Sequence, residues 1–122
     1  MATLAGLHRY LATVLLVFAV LLALWATFLY FRNRRVPGGL RSSFLIMTGV
    51  TALQGLLGLG ALVTGGSPRE GFLHMVYGIF AVLFLPGAYL YSHGGSQRRE
   101  TLVFAGACWI VAIAYFRGIS TG

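Results

Sequence analysis

Four long stretches without Asp, Glu, Lys or Arg constrain the fold more than any other feature of this 122-residue chain. They cover residues 10–31, 42–67, 71–97 and 101–116. The hydrocarbon core of a bilayer needs about 20 apolar residues per helix. Only 9% of the residues are charged, against about a quarter in a soluble domain. We therefore predict an all-α integral membrane protein, a single domain over residues 1–122 with a bundle of four transmembrane helices.

The same pattern sets the expected helix boundaries. We predict helices over about residues 7–31, 42–63, 70–91 and 101–116, the fourth being short and ending near the membrane interface. A loop is expected over residues 32–41, because it combines Pro37, two glycines and four arginines. Pro86 lies inside the third predicted helix, where it removes one backbone hydrogen bond and favours a kink.

The charged residues indicate how the chain is oriented. All nine positive side chains are arginines, and the net charge is +7. In a soluble protein this would suggest nucleic-acid binding, but here the arginines lie between the apolar stretches, so we expect a lipid membrane and no nucleic acid as partner. Six follow the first and third stretches: Arg32, Arg34, Arg35, Arg41, Arg98 and Arg99. The positive-inside rule then places both basic loops in the cytoplasm and both termini outside.

The two halves of the chain share a spacing. His8 and His74 each stand at the head of an apolar stretch, and a basic loop begins 24 residues after each, at Arg32 and Arg98. Both halves start on the same side, so we predict two parallel helix-hairpin repeats related by a pseudo-two-fold axis along the membrane normal. That axis would place His8 and His74 at equal depth.

The two histidines are the candidate cofactor ligands. Helix bundles hold cofactors between side chains of facing helices, and imidazole is a standard axial ligand of haem iron. Each histidine has a small residue four positions later, Ala12 and Gly78 respectively, which would leave room for a flat ring on the same helix face. We therefore predict one bis-histidine haem b, a six-coordinate arrangement suited to electron transfer. The alternative is that both histidines are solvated side chains at the membrane interface.

Other polar residues have predicted roles around this pair. Arg9 and Arg69 are candidates for pairing the two haem propionates, with snorkelling to lipid phosphate as the alternative. Gln54, in "LQGLLGLG", is a candidate for a hydrogen bond between helices or to a cofactor. His93 has no partner histidine on its side of the membrane.

The only acids are Glu70 and Glu100, and no catalytic triad, P-loop or paired-carboxylate pattern is present, so no catalytic residues are predicted.

The stretches "LHRYLATVLLVF", "YFRNRRVPGGLR", "ALQGLLGLGALVTG" and "FLHMVYGIFAVL" resemble the haem A synthase family of membrane proteins. The resemblance covers residues 7–91, and implies one four-helix half of that family's two fused bundles. It implies that His8 and His74 are the paired haem histidines and that Arg9 is the arginine after the first of them. The catalytic half of the family has a glutamate three residues before a histidine, where this chain has Ala5. That departure favours the family's haem-b-binding bundle over an enzyme.

Three interpretations follow from the sequence. The first is a cytochrome b of the bacterial inner (plasma) membrane, which transfers electrons or serves as a small subunit of a respiratory or photosynthetic complex. The second is a half-size haem A synthase relative that acts as a dimer. The third is a haem-free structural or assembly subunit, whose glycine-containing helices pack against other membrane proteins. The expected protein partners are therefore other membrane subunits or a second copy of the chain.

Overall fold

The computed structural model describes residues 2–65, 71–93 and 95–121, with side chains from residue 6 onward. Four helices account for nearly all of these residues, and the described part of the chain contains no strand. They are α1 (Ala2–Phe31), α2 (Gly38–Val63), α3 (Gly71–Tyr91) and α4 (Gln97–Thr121). Each is long and apolar enough to cross a membrane. The prediction of an all-helical, multi-pass membrane protein is confirmed.

Three helices are longer than the sequence predicts. α1 begins at Ala2, five residues before the predicted start. α4 has 25 residues, whereas the prediction was a short helix over residues 101–116. The uncharged run measures the apolar core of a helix, but arginine and glutamate are compatible with helical backbone at either end. α2 begins at Gly38, directly after Pro37 in an extended conformation, because proline is readily placed at a helix start even though it interrupts a helix interior. α3 continues through Pro86.

The helices form a ring in chain order. Each packs against the helices before and after it, and α4 closes the ring against α1. The closest packing is between α1 and α4, and the slightest is between α2 and α3. α1 and α3 therefore lie diagonally opposite each other. Short connections make consecutive helices antiparallel, so α1 begins and α4 ends at the same end of the bundle.

Small residues explain why α1 and α4 approach so closely. Ala19, Ala23 and Ala26 are fully buried on one face of α1. Four alanines of α4 are also buried: Ala105, Ala107, Ala112 and Ala114. Without a hydrophobic driving force between helices in lipid, close backbone approach through small residues is a main source of helix packing. α4 is the most buried helix of the four.

Aromatic and long aliphatic side chains fill the half of the bundle farther from His8. Phe44 of α2 and Phe104 of α4 meet edge to face with ring centroids 4.9 Å apart. Tyr89 of α3 stacks on Phe44 at 6.4 Å, and Leu40 and Met47 are buried beside them. Three helices are therefore joined by one core cluster.

Six arginines lie at one end of the bundle, which we call the arginine end. It comprises residues 32–41 and 97–100 and the last turn of α3. Here Arg41 of α2 forms an ion pair with Glu100 of α4 at 2.5 Å. Arg99 donates a hydrogen bond to the carbonyl of Tyr91 at 2.8 Å and lies over that ring at 4.5 Å. These arginines tie the helix ends together.

Asn33 shapes the turn that ends α1. Its φ of 54° is left-handed, a conformation that asparagine tolerates better than most residues. Its N–H donates to the carbonyl of Tyr30 at 3.2 Å, and the N–H of Arg34 donates to that of Leu29 at 2.9 Å. This pair of bonds is a Schellman motif. The Asn33 side chain accepts a bond from Arg98 of α4 at 2.5 Å, so the turn is fixed to α4.

Candidate cofactor site

The side chains of His8 and His74 meet inside the opposite end of the bundle, which we call the histidine end (residues 6–15, 51–65, 71–82 and 112–121). Their ring centroids are 5.7 Å apart, and the ring planes make an angle of 70°. His8 lies on α1 and His74 on α3, the two diagonal helices, so the rings span the centre of the bundle. Both side chains are half-buried. The structure brings together the two histidines that the sequence singles out.

A backbone contact fixes the tautomer of His74. Its Nδ1 lies 2.9 Å from the carbonyl oxygen of Gly118 in α4. A carbonyl only accepts hydrogen bonds, so Nδ1 carries a proton, and in the neutral imidazole Nε2 is then the acceptor nitrogen. Metal-ligating histidines commonly donate their second nitrogen to a carbonyl in this way, which orients the ring and makes the ligand more basic.

His8 is held by contacts with α2, whereas His74 is held by α4. Its backbone carbonyl accepts a hydrogen bond from Gln54 Nε2 of α2 at 2.6 Å. Its ring lies against Gly58, where an added Cβ would come within 3.0 Å of His8 Cε1. The His8 ring therefore occupies space that only glycine leaves open.

Two buried polar atoms beside this contact have no hydrogen-bond partner among the described residues. They are His8 Nδ1 and Gln54 Oε1. Leaving a buried polar atom unpaired costs about 1–3 kcal/mol, and native proteins rarely retain such atoms without a reason. The two unpaired atoms belong to neighbouring side chains, so any ligand or water bound between them could satisfy both.

The remaining predicted residues are distributed around the pair. Arg9 is exposed, one position after His8. Ala12 is half-buried, and an added Cβ at Gly78 would have no neighbour within 4 Å among the described atoms. Arg69, like Glu70, lies outside the described residues. Ala5 lies in α1, where its side chain is not described.

Arg117 is a residue that the sequence interpretation missed. It precedes Gly118, whose carbonyl holds His74, and its guanidinium lies over the Tyr77 ring of α3 at 5.6 Å. Its Nε also donates to the Tyr77 hydroxyl at 3.4 Å. One sequence feature could have identified it. Arg117 directly follows the fourth apolar stretch, which the predicted topology places on the same side of the membrane as His8.

The donor set favours a particular kind of ligand. Among residues 2–65, 71–93 and 95–121, no group of three or more His, Cys, Asp or Glu side chains is placed to hold a metal ion. A structural zinc site uses four protein ligands, whereas a haem supplies four nitrogens itself and takes two axial ligands. His8 and His74 are therefore the two residues that would hold the iron of a haem, a group for which two imidazole donors suffice.

Comparisons of the chain with protein-family models, curated proteins and solved structures return no match. The resemblance to the haem A synthase family thus depends on the motifs within residues 7–91 alone, and membership of that family stays a prediction.

Proposed function

We propose that this chain is a b-type cytochrome of the bacterial inner membrane, with one haem b ligated by His8 and His74. The observation that carries the proposal is the meeting of these two rings across the diagonal of the bundle, with Nδ1 of His74 engaged by the Gly118 carbonyl so that Nε2 is the nitrogen available to a ligand. Haem b, when bound, supplies a reversible one-electron couple.

The protein's own residues would orient the cofactor. His74 is fixed by α4, and His8 is fixed by Gln54 and Gly58 of α2. All four helices therefore contribute to one ligand pair. Arg9, Arg69 and Arg117 are the positive groups proposed to pair with the propionates, because a guanidinium binds a carboxylate through two parallel hydrogen bonds. The open space beside Gly78, together with the small Ala12, would accommodate the ring.

The proposed orientation follows from the arginine distribution. With the arginine end in the cytoplasm, the histidine end and both termini lie outside. The haem would then sit near the outer surface, and the two hairpins would be parallel repeats. A haem held by His8 and His74 would supply electron-transfer chemistry, so we propose electron transfer, either alone or as a small subunit beside other membrane proteins or a second copy of the chain.

Optical spectroscopy tests this proposal directly. The full chain is expressed with adequate haem supply and purified in mild detergent, and oxidised and dithionite-reduced spectra are recorded. We expect a sharp reduced α-band of low-spin haem b in the wild type. His8→Ala and His74→Ala should lose the haem or convert it to a high-spin form. His93→Ala is the matched control, because His93 lies at the arginine end against Tyr89, and it should keep the wild-type spectrum.

A second variant separates ligation from packing. Asparagine at position 74 can still donate to the Gly118 carbonyl but has no group at the position of Nε2. His74→Asn should therefore fold as well as the wild type and still lose low-spin haem. A folded, haem-replete wild-type preparation without haem absorbance would overturn the proposal and favour a haem-free assembly subunit.

A further inference from the structure

The arginine end carries a charge that its own residues do not neutralise. Six arginines lie there, and Glu100 is the one carboxylate, so the formal charge is six minus one, or +5. The other acid of the chain, Glu70, lies outside the sequence segments that form the arginine end. Such a concentration of positive charge at the end of membrane-spanning helices requires counter-charges from outside the protein.

Three of these arginines are engaged within the protein. Arg41 pairs with Glu100, Arg98 donates to Asn33, and Arg99 donates to the Tyr91 carbonyl. The guanidinium groups of Arg32, Arg34 and Arg35 are exposed and have no hydrogen-bond acceptor among the described residues. Arg32 lies over the Phe28 ring at 5.7 Å, which leaves its N–H groups available.

The backbone that presents these three arginines is fixed. The Schellman motif at Asn33 sets the chain direction between Arg32 and Arg34. The carbonyl of Arg34 accepts a hydrogen bond at 3.1 Å from Thr101, which is fully buried in α4. A ligand bound here would therefore not have to order a flexible loop, which lowers the entropic cost of binding.

A shallow surface cleft with room for about one water molecule lies between the end of α1 and the start of α4, so a larger group would lie over it and not inside it. Its lining residues are Tyr30, Asn33, Arg34, Gln97, Arg98 and Thr101. Arg98 reaches Asn33 through one guanidinium nitrogen and lies over the Tyr30 ring at 4.2 Å, so further donors remain. Arg34 and Arg98 thus flank one polar cleft, and the exposed Arg32 and Arg35 are neighbours of Arg34 in the sequence.

We propose that the surface over this cleft binds the phosphate of an anionic phospholipid, with Arg34 and Arg98 on the phosphate and the exposed Arg32 and Arg35 adding positive charge on the same loop. Guanidinium groups recognise phosphate through paired hydrogen bonds, and the ends of membrane-spanning helices lie at the level of lipid headgroups. Phe31, 76% exposed next to Arg32, provides the apolar surface that a lipid, unlike a free phosphate ion, would contact.

Titration in detergent tests the site. Binding of phosphatidylglycerol, of the zwitterionic phosphatidylcholine and of soluble glycerol phosphate to the purified full-length protein is measured by native mass spectrometry. The wild type should bind phosphatidylglycerol in preference to the other two. The Arg34→Gln/Arg35→Gln double variant should bind it roughly 30-fold more weakly, which corresponds to about 1 kcal/mol for each arginine. The matched control is Arg9→Gln/Arg117→Gln, which removes two charges at the histidine end and should leave the affinity within about twofold.

Three results would overturn the proposal. Equal affinity for phosphatidylglycerol and phosphatidylcholine would show that the headgroup charge is not recognised. Glycerol phosphate binding as tightly as phosphatidylglycerol would assign the cleft to a free phosphate compound. An equal loss in both double variants would indicate a general charge effect without a site. Circular dichroism spectra that match the wild type establish that each variant is folded, and the lipid measurement does not depend on haem.

Discussion

At Gly58 the absence of one methyl group decides where His8 can lie. An added Cβ would come within 3.0 Å of His8 Cε1 and 3.5 Å of Nδ1. Because the His8 ring is also restrained through its own backbone by Gln54, it cannot simply move away with the helix. Gly49, about two and a half helical turns closer to the arginine end, has no neighbour within 4 Å of the same built position. Gly49 and Gly58 therefore have different roles.

Alanine substitution should separate these roles. Gly49→Ala should raise the stability by about 0.5–1 kcal/mol, because glycine is unfavourable in a helix interior, and should leave haem content unchanged. Gly58→Ala gains the same propensity but displaces the His8 ring, so we expect it to reduce the haem bound per protein. The measurements are the ratio of haem to protein absorbance and the unfolding midpoint in detergent. Equal haem content in both variants would contradict a steric role for Gly58.

Some features of the site can be predicted from the sequence, and others cannot. His8 and His74 could be paired from the sequence because both stand at the head of an apolar stretch and both precede a basic loop by the same distance. The contact between His74 and the Gly118 carbonyl could not be predicted, since a backbone acceptor leaves no residue type to recognise. The Arg117–Tyr77 contact needs the relative rotation of α3 and α4, which the apolar pattern does not encode.

Within the helices, one face of α2 contacts all three other helices. Thr51, Gln54, Gly55 and Gly58 follow at intervals of three, one and three, so they lie on one face. Thr51 bonds to Tyr115 of α4, Gln54 bonds to the His8 carbonyl of α1, and the position of an added Cβ at Gly55 is 3.4 Å from Val82 of α3. α2 thus positions the site even though it provides no proposed iron ligand.

The buried hydrogen bond between Thr51 and Tyr115 gives a quantitative test of this role. Thr51→Val and Tyr115→Phe should each lower the free energy of unfolding by about 1 kcal/mol. The double variant should lose less than the sum, because both changes remove the same bond. Thr48→Val is the matched control, since the Thr48 hydroxyl donates to the Phe44 carbonyl within α2. The losses in unfolding free energy from Thr48→Val and Tyr115→Phe should therefore simply add in a double-mutant cycle, measured by unfolding in mixed detergent. Additive losses for Thr51→Val and Tyr115→Phe would contradict the role of the Thr51–Tyr115 bond.

The ends of the helices are also harder to predict from the sequence than their apolar centres. The uncharged run of residues 101–116 located α4 but underestimated it, since its end turns carry Arg98, Arg99 and Arg117. These side chains are long enough to reach polar partners at both ends of the bundle. Charge therefore indicates where the apolar layer stops, whereas the helix continues until its backbone is capped.

Across the whole molecule, the two ends are built for different purposes. The arginine half contains the aromatic core cluster, the Schellman turn and the Arg41–Glu100 pair. The histidine end contains the half-buried histidine pair and two unpaired buried polar atoms. Under the proposed function, the well-packed half holds the four helices in register and the histidine end holds the ligand. The fold class was predictable from hydropathy, but this division depends on side-chain packing.

The orientation of these two ends in the membrane is open to a direct chemical test. Cys108 is fully buried in α4, so the native chain should not react with a membrane-impermeant maleimide. Thr64→Cys introduces a thiol at an exposed position of the histidine end, and Gly38→Cys introduces one at the arginine end, where an added Cβ has no neighbour within 4 Å. Because arginine-rich loops are retained in the cytoplasm, intact spheroplasts should label at position 64 only, and permeabilised ones at both. Labelling of intact spheroplasts at position 38 alone would invert the topology and place the histidine pair at the cytoplasmic surface.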